Sequence, residues 1–128
     1  MAATYTYHKA EKLKSRKVLN RLFTEGKSFS VFPVKLFYAI DDDNTAAVKA
    51  GVGVSARNFK KAVDRNRIKR LLRECYRLNK ISLHTSAAAK QKGISLFFLF
   101  IGKELPEYTY LLEKMKEVLI KMEEKIDR

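Results

Sequence analysis

The sequence predicts an α+β protein folded as a two-layer α/β sandwich, and three patterns carry that prediction. Residues 48–54 alternate apolar positions with polar or small ones, the period of a half-buried strand. Ile94–Ile101 is apolar throughout except at Ser95, as expected of a central strand covered on both faces. Two long stretches, 60–79 and 106–126, repeat their apolar residues at helical spacing. A chain of 128 residues mixing these patterns suits one modest core.

Residues 1–12 have no periodicity and are expected to form a flexible N-terminal arm, with a single α/β domain over 13–128. Ser15 is placed to cap a helix over Arg16–Glu25, with Val18, Leu19, Leu22 and Phe23 on one face and Gly26 as its stop. Val31–Ile40 reads as one strand, with Pro33 near its beginning where a missing N–H is tolerated. Within it Lys35 and Phe37 share one face, and Val34, Leu36 and Tyr38 the other. Asp41-Asp42-Asp43-Asn44 reads as a solvated turn rather than a metal site. In the next strand Val48, Ala50, Val52 and Val54 alternate with Lys49, Gly51, Gly53 and Ser55, leaving little bulk on one face. A basic helix follows over about Lys60–Asn79. The polar, alanine-rich stretch Ile81–Lys92 reads as a loop with a frayed helical extension. After the apolar strand, Pro106 opens a last helix whose stripe is Tyr108, Leu111, Leu112, Met115, Leu119, Met122 and Ile126.

Charge narrows the function. The chain carries 27 Lys and Arg against 14 Asp and Glu, a formal net charge of +13. The excess sits in two blocks, a net +6 over residues 1–35 and +8 over 57–80, while 36–56 is net −2 and 81–128 net +1. Two basic blocks point to a polyanionic partner rather than a general solubility coat. An anionic membrane competes for such charge, but the basic segments lack a wide apolar face and Trp anchors. The longest apolar run is too short to span a bilayer, and Met1–Ala10 has no signal-peptide core, so the cytoplasm is the expected location. A single cysteine, Cys75, excludes an internal disulfide framework and agrees with a reducing compartment.

The basic helix can be read two ways. Ile68, Leu71, Leu72, Cys75 and Leu78 fall within an arc of about 120° and form the inward stripe. Arg65, Asn66, Lys69, Arg70, Arg73, Arg77 and Lys80 take the outward side. A merely solvated face would intersperse acids at ion-pairing intervals. Here Glu74, flanked by Arg67 and Arg70, leaves at least five cations unpaired. Phosphates neutralise such a row, and arginine's fork suits them. The block adds Arg57, Lys60, Lys61 and Arg77 to the candidate nucleic-acid contacts. RNA is preferred to DNA because no helix-turn-helix, zinc-finger spacing or dimer seam appears. A sheet bearing Phe and Tyr beside a basic helix suits stacked single-stranded nucleotides.

No catalytic constellation is legible. His8 and His84 are isolated and read as surface or loop residues, and one Cys with two His cannot complete a four-ligand zinc site. Cys75 sits mid-stripe and reads as a buried small hydrophobe. Gly51 and Gly53 lie in a strand pattern without the GK[ST] of a phosphate loop.

At Arg65-Asn66-Arg67-Ile68-Lys69-Arg70-Leu71-Leu72-Arg73-Glu74 the chain resembles the signature helix of the bacterial ribonuclease P protein subunit. Leu13–Ser28 is similar to that family's first helix and glycine turn, and Gly51–Val63 to the strand and loop feeding the signature helix. The resemblance implies a fold like the second domain of a small-subunit ribosomal protein, with a left-handed βαβ crossover where sequence reasoning alone would choose a right-handed one. It implies that Arg65, Asn66, Arg67, Lys69, Arg70 and Arg73 dock on ribonuclease P RNA. A cleft between that helix and the sheet, at Phe23, Lys35, Phe37, Val63 and Asn66, would hold the single-stranded 5′ leader of precursor tRNA. The RNA would supply the active site with Mg²⁺, the protein binding no metal through its side chains and not cleaving RNA alone. Neither DNA nor a membrane is an expected partner. The chain departs from the family pattern at Ala56, with Arg57 and one extra residue before Lys60-Lys61, at Leu19, and at Phe37 where a tyrosine is frequent. The alternatives are a non-enzymatic RNA-binding protein of ribosomal type and a basic membrane-surface or DNA-compaction protein. Asn66 held between two arginines favours the ribonuclease P reading.

Overall fold

The computed structural model describes residues 16–41 and 48–126. Its elements run α1 (Arg16–Glu25), β1 (Lys27–Val31), β2 (Val34–Asp41), β3 (Val48–Val54), α2 (Ala62–Asn79), α3 (Ile81–Lys90), β4 (Gly93–Phe100) and α4 (Tyr108–Ile126). The four strands form one sheet in the order β1-β2-β4-β3. The β1·β2 and β2·β4 pairs are antiparallel, whereas β3 and β4 are parallel and joined through α2 and α3. The apolar strand β4, last in sequence, therefore lies between two others, as its composition required.

The pleat sorts the residues onto two faces. Val34, Leu36 and Tyr38 of β2, Val48 and Ala50 of β3, and Ile94, Leu96, Phe98 and Phe100 of β4 are buried in one core. Ile68, Leu72, Cys75 and Tyr76 of α2, Leu83 and Ala87 of α3, and six side chains of α4 close it. Burying an aliphatic or aromatic side chain contributes about 1.5–3 kcal/mol relative to exposure, so this face supplies most of the driving force. The opposite face keeps Lys35, Phe37, Phe97 and Leu99 half-buried, and α1 approaches it through Phe23.

Several expectations change. Val31–Ile40 is not one strand but parts of two, with Phe32 and Pro33 forming the hairpin turn between Val31 and its partner Val34. Proline's missing N–H is harmless there, while its carbonyl accepts from the Ile101 N–H at 2.8 Å. The strand Lys27–Val31 escaped notice because its exposed and half-buried positions carry mostly polar residues. Residues 81–90 form a helix, because alanine favours one and Leu83 and Ala87, four apart, both reach the core. Gln91, at φ 52°, ends it: the Lys92 N–H bonds the Ala87 carbonyl and the Gln91 N–H that of Ala88. Lys80, expected on the outer face, is buried at the α2–α3 joint, where the helical wheel no longer applies. Tyr76, absent from the expected stripe, packs on Phe98 at 5.4 Å. In α4, Val118 is buried and Tyr108 exposed. The strand β4 is fully covered on one face only, since Ser95, Phe97 and Leu99 stay half-buried. The expected Ser15 cap, the arm 1–12, His8 and the turn residues Asp42–Asn44 lie outside the described residues.

Candidate nucleic-acid interface

Helix α2 begins after the loop 55–61, which is held by its own arginine. Arg65 Nη1 donates to the carbonyls of Phe59 and Lys60, at 2.7 and 2.8 Å. Asn58 Nδ2 donates to the Gly102 carbonyl at 3.4 Å, tying the same loop to the chain beyond β4. Phe59, buried, leans on Phe100 with centroids 5.9 Å apart. Thus Arg65, an expected RNA contact, also positions the entry to the helix.

The buried stripe of Ile68, Leu72, Cys75 and Tyr76 fixes the rotation of α2. Arg67, Arg70 and Arg73 are left exposed, with Lys69 half-buried beside them. None of these four, nor Arg57, Lys60 or Lys61, has a side-chain hydrogen bond or ion pair among the described residues. Helical spacing sets Arg65 against Lys69, Arg67 against Arg70, Lys69 against Arg73 and Arg70 against Arg73. Four such like-charge pairs cost together on the order of 1–2 kcal/mol, offset by the apolar side of the same helix. A polyanion removes that cost.

Arg77 is a different case. Its Nε donates to Glu74 Oε2 at 3.1 Å and its Nη2 to Glu74 Oε1, a two-pronged pair. The hydrogen bond from Arg77 holds the Glu74 carboxyl below its usual range, and the carboxylate raises Arg77 in turn. The sequence offered Glu74 to Arg67 and Arg70, yet the structure gives it to Arg77. Of the expected contacts, Arg77 alone forms an ion pair among the described residues.

The open sheet face carries a second constellation. Phe23, at the end of α1, stands edge-on to both Phe37 and Phe97, each centroid 5.1 Å away, with interplanar angles of 75° and 87°. Lys35 Nζ lies 5.0 Å from the Phe37 centroid. Phe23, Lys35 and Phe37, three of the five expected cleft residues, therefore come together. Val63 and Asn66 are exposed on the first turns of α2, and no ring contact or hydrogen bond among the described residues ties them to the three rings. Sequence reasoning passed over Phe97 because an apolar run was read as doubly covered. Its place beside Phe37 follows from the β2·β4 pairing, which the sequence pattern does not supply.

The remaining candidates have structural roles. His84 is half-buried on α3, its Nε2 2.8 Å from the Tyr76 hydroxyl, so it is not the surface or loop residue expected. Cys75 is fully buried, and loss of hydration pushes its thiol up to about 11, which removes its reactivity near neutral pH. Among the described residues no three His, Cys, Asp or Glu side chains gather as a group that could hold a metal ion. A cavity of about 640 Å³ lies instead at the end of the sheet, between Phe32, Phe100 and Tyr110.

Comparison with known proteins adds a family. The family model described as Ribonuclease P matches residues 7–123. A curated relative from Porphyromonas gingivalis, the ribonuclease P protein component, is 36% identical over 121 residues, covering 94% of this chain and 88% of the relative. The solved RNase P protein from Thermotoga maritima superposes with a TM-score of 0.64 at 24% identity, covering 87% of this chain and 96% of that one. The RNase P protein of Staphylococcus aureus gives 0.60 at 22% identity, covering 89% and 95%. These two likenesses establish the same mixed α+β fold.

Proposed function

This chain belongs to the ribonuclease P protein family, and from that premise we propose that it binds the catalytic RNA and the 5′ leader of precursor tRNA, assisting endonucleolytic maturation of tRNA 5′ ends. As a family member it is a subunit of an endoribonuclease complex with an RNA partner. One observation carries the finer reading: the unpaired cations of α2 and the aromatic open face are both presented by a single sheet-and-helix scaffold. Arg67, Lys69, Arg70 and Arg73 supply charge to RNA phosphates, joined by Arg57, Lys60 and Lys61 on the approach to the helix. Arg65 and Asn66 supply polar contacts beside them. Phe23 and Phe37, with Lys35 adjacent, offer edges and faces on which unpaired bases stack, and the lysine neutralises a neighbouring phosphate. Val63 and Asn66 would meet the leader where it passes the head of α2. The strand-cutting chemistry belongs in this reading to the RNA and its Mg²⁺, and no step is routed through protein side chains. No helix among the described residues is long and apolar enough to cross a membrane, and the cytoplasm is the proposed site of action.

The test is equilibrium binding of the chain to a bacterial ribonuclease P RNA and to an unrelated folded RNA of equal length, across a salt series. Tighter binding to the first at every salt concentration, with a steep negative log–log slope, supports the reading. Equal affinity for the two would reduce it to a generic basic RNA-binding protein.

A further inference from the structure

We propose that Phe97 is a nucleotide-contacting ring of the open face and that Gly53 is the residue that positions it. Single-stranded RNA then crosses the sheet from Lys35 and Phe37, over Phe97, to β3 at Gly51, which has no side chain. The inference rests on the reading above, in which this face receives the leader, and adds the far half of the path.

The register places the residues. Phe97 pairs with Phe37 on one side and Gly51 on the other, and Leu99 pairs with Lys35 and Gly53. All six positions share the face turned away from the core. The Phe97 ring leans diagonally from β4 onto β3: a Cβ built on Gly53 would stand 2.6 Å from its Cζ and 2.9 Å from its Cε1. No side chain fits there while the ring keeps its place. Gly53 therefore acts through Phe97, by leaving the space the ring occupies.

Phe97 could instead be packing for α1, but the degree of burial argues otherwise. Leu22 of α1 is buried, whereas Phe23 is 45% exposed, and Phe37 and Phe97 are only half-buried. Rings left this open present surface on which any base can stack. Gly53 is itself buried beneath the Phe97 ring, whereas Gly51 is half-buried in an edge strand, between exposed Lys49 on the same face and exposed Arg57 in the following loop. Peptide backbone flanked by two cations suits a ribose-phosphate chain, which needs close approach and charge rather than side-chain bulk.

The experiment measures the affinity of the full-length chain, assembled with ribonuclease P RNA, for precursor tRNA with and without its leader. Variants are Phe97→Leu, Phe97→Tyr, Gly53→Ala, the double Gly53→Ala/Phe97→Leu, and Phe37→Leu as reference, each checked by thermal melting. Phe97→Leu should weaken binding of the leader-bearing substrate by roughly 5- to 150-fold, the effect of losing one stacked base, and leave leaderless substrate unchanged. Phe97→Tyr, which keeps the ring, should retain binding. Gly53→Ala should reproduce the loss alone and add nothing to Phe97→Leu, because the residue it obstructs is already gone. Loss with Phe37→Leu but none with Phe97→Leu would overturn the inference and leave the open-face reading standing. No loss with either would overturn both. Equal losses with and without a leader, retained in Phe97→Tyr, would make Phe97 and Gly53 structural and refute the proposal.

Discussion

Phe23 meets Phe37 edge to face, with centroids 5.1 Å apart and planes at 75°, on the side of the sheet that the core does not use. Edge-to-face pairs add about 0.5–1.5 kcal/mol beyond area burial, so the contact orders the end of α1 while leaving ring surface open. Replacing Phe37 by leucine should weaken leader binding by about 1–3 kcal/mol if a base stacks there. Affinity for substrates with and without a leader is the measurement. A leader contribution unchanged by the substitution would remove Phe37 from the site.

Arg70 is exposed and without an ion pair among the described residues. If it neutralises one phosphate, Arg70→Ala should reduce the log–log salt slope of RNA binding by about 0.7–0.9. Affinity would fall most at low salt. A slope equal to that of the parent chain would take Arg70 off the contact surface.

Glu74 and Arg77 make the opposite prediction. The pair occupies Arg77's fork, so Glu74→Ala should free a cation and steepen the salt slope by up to about 0.9. Arg77→Ala alone should change the slope less than Arg70→Ala does. Because the hydrogen bond from Arg77 holds the Glu74 carboxyl below its ordinary range, the pair is intact at neutral pH and loosens only on acidification below that range. A double Glu74→Ala/Arg77→Ala variant that keeps the steeper slope would show that the gain comes from elsewhere.

Much of this arrangement is legible in the sequence, for reasons that also explain the exceptions. A period of two put Lys35 and Phe37 opposite Leu36, and a period near 3.6 put Ile68, Leu72 and Cys75 opposite the arginines, because each side chain's direction is fixed by local geometry. The hairpin turn at Phe32-Pro33 was hidden, since the apolar pattern runs on through it from Val31 to Val34. Lys80 was misplaced because its burial depends on where α2 gives way to α3, a tertiary fact. Glu74 had several arginines within reach, and choosing Arg77 requires rotamers that spacing cannot supply. Phe97 gains meaning only once β4 is paired with β2 and β3.

Cys75 gives a pH prediction. Burial raises its thiol from 9.0 to about 11, so between those values the folded chain keeps a proton that the unfolded chain releases. Stability is then complete below about pH 9 and declines as pH rises toward 11, by on the order of 1–3 kcal/mol. Cys75→Ala should flatten that decline while lowering stability at neutral pH through the lost packing. Denaturant midpoints at pH 7, 9 and 10.5 for both chains measure it. An equal decline in the two would assign the alkaline loss to other groups.

The most direct test is cleavage of a precursor tRNA by a bacterial ribonuclease P RNA at limiting Mg²⁺, with and without this chain. The account predicts stimulation by the protein, no cleavage by the protein alone, and less stimulation when Arg67, Arg70 and Arg73 are replaced together by alanine. Tight RNA binding without stimulation of a cognate RNA would contradict it, leaving a ribosomal-type RNA-binding protein that uses the same helix.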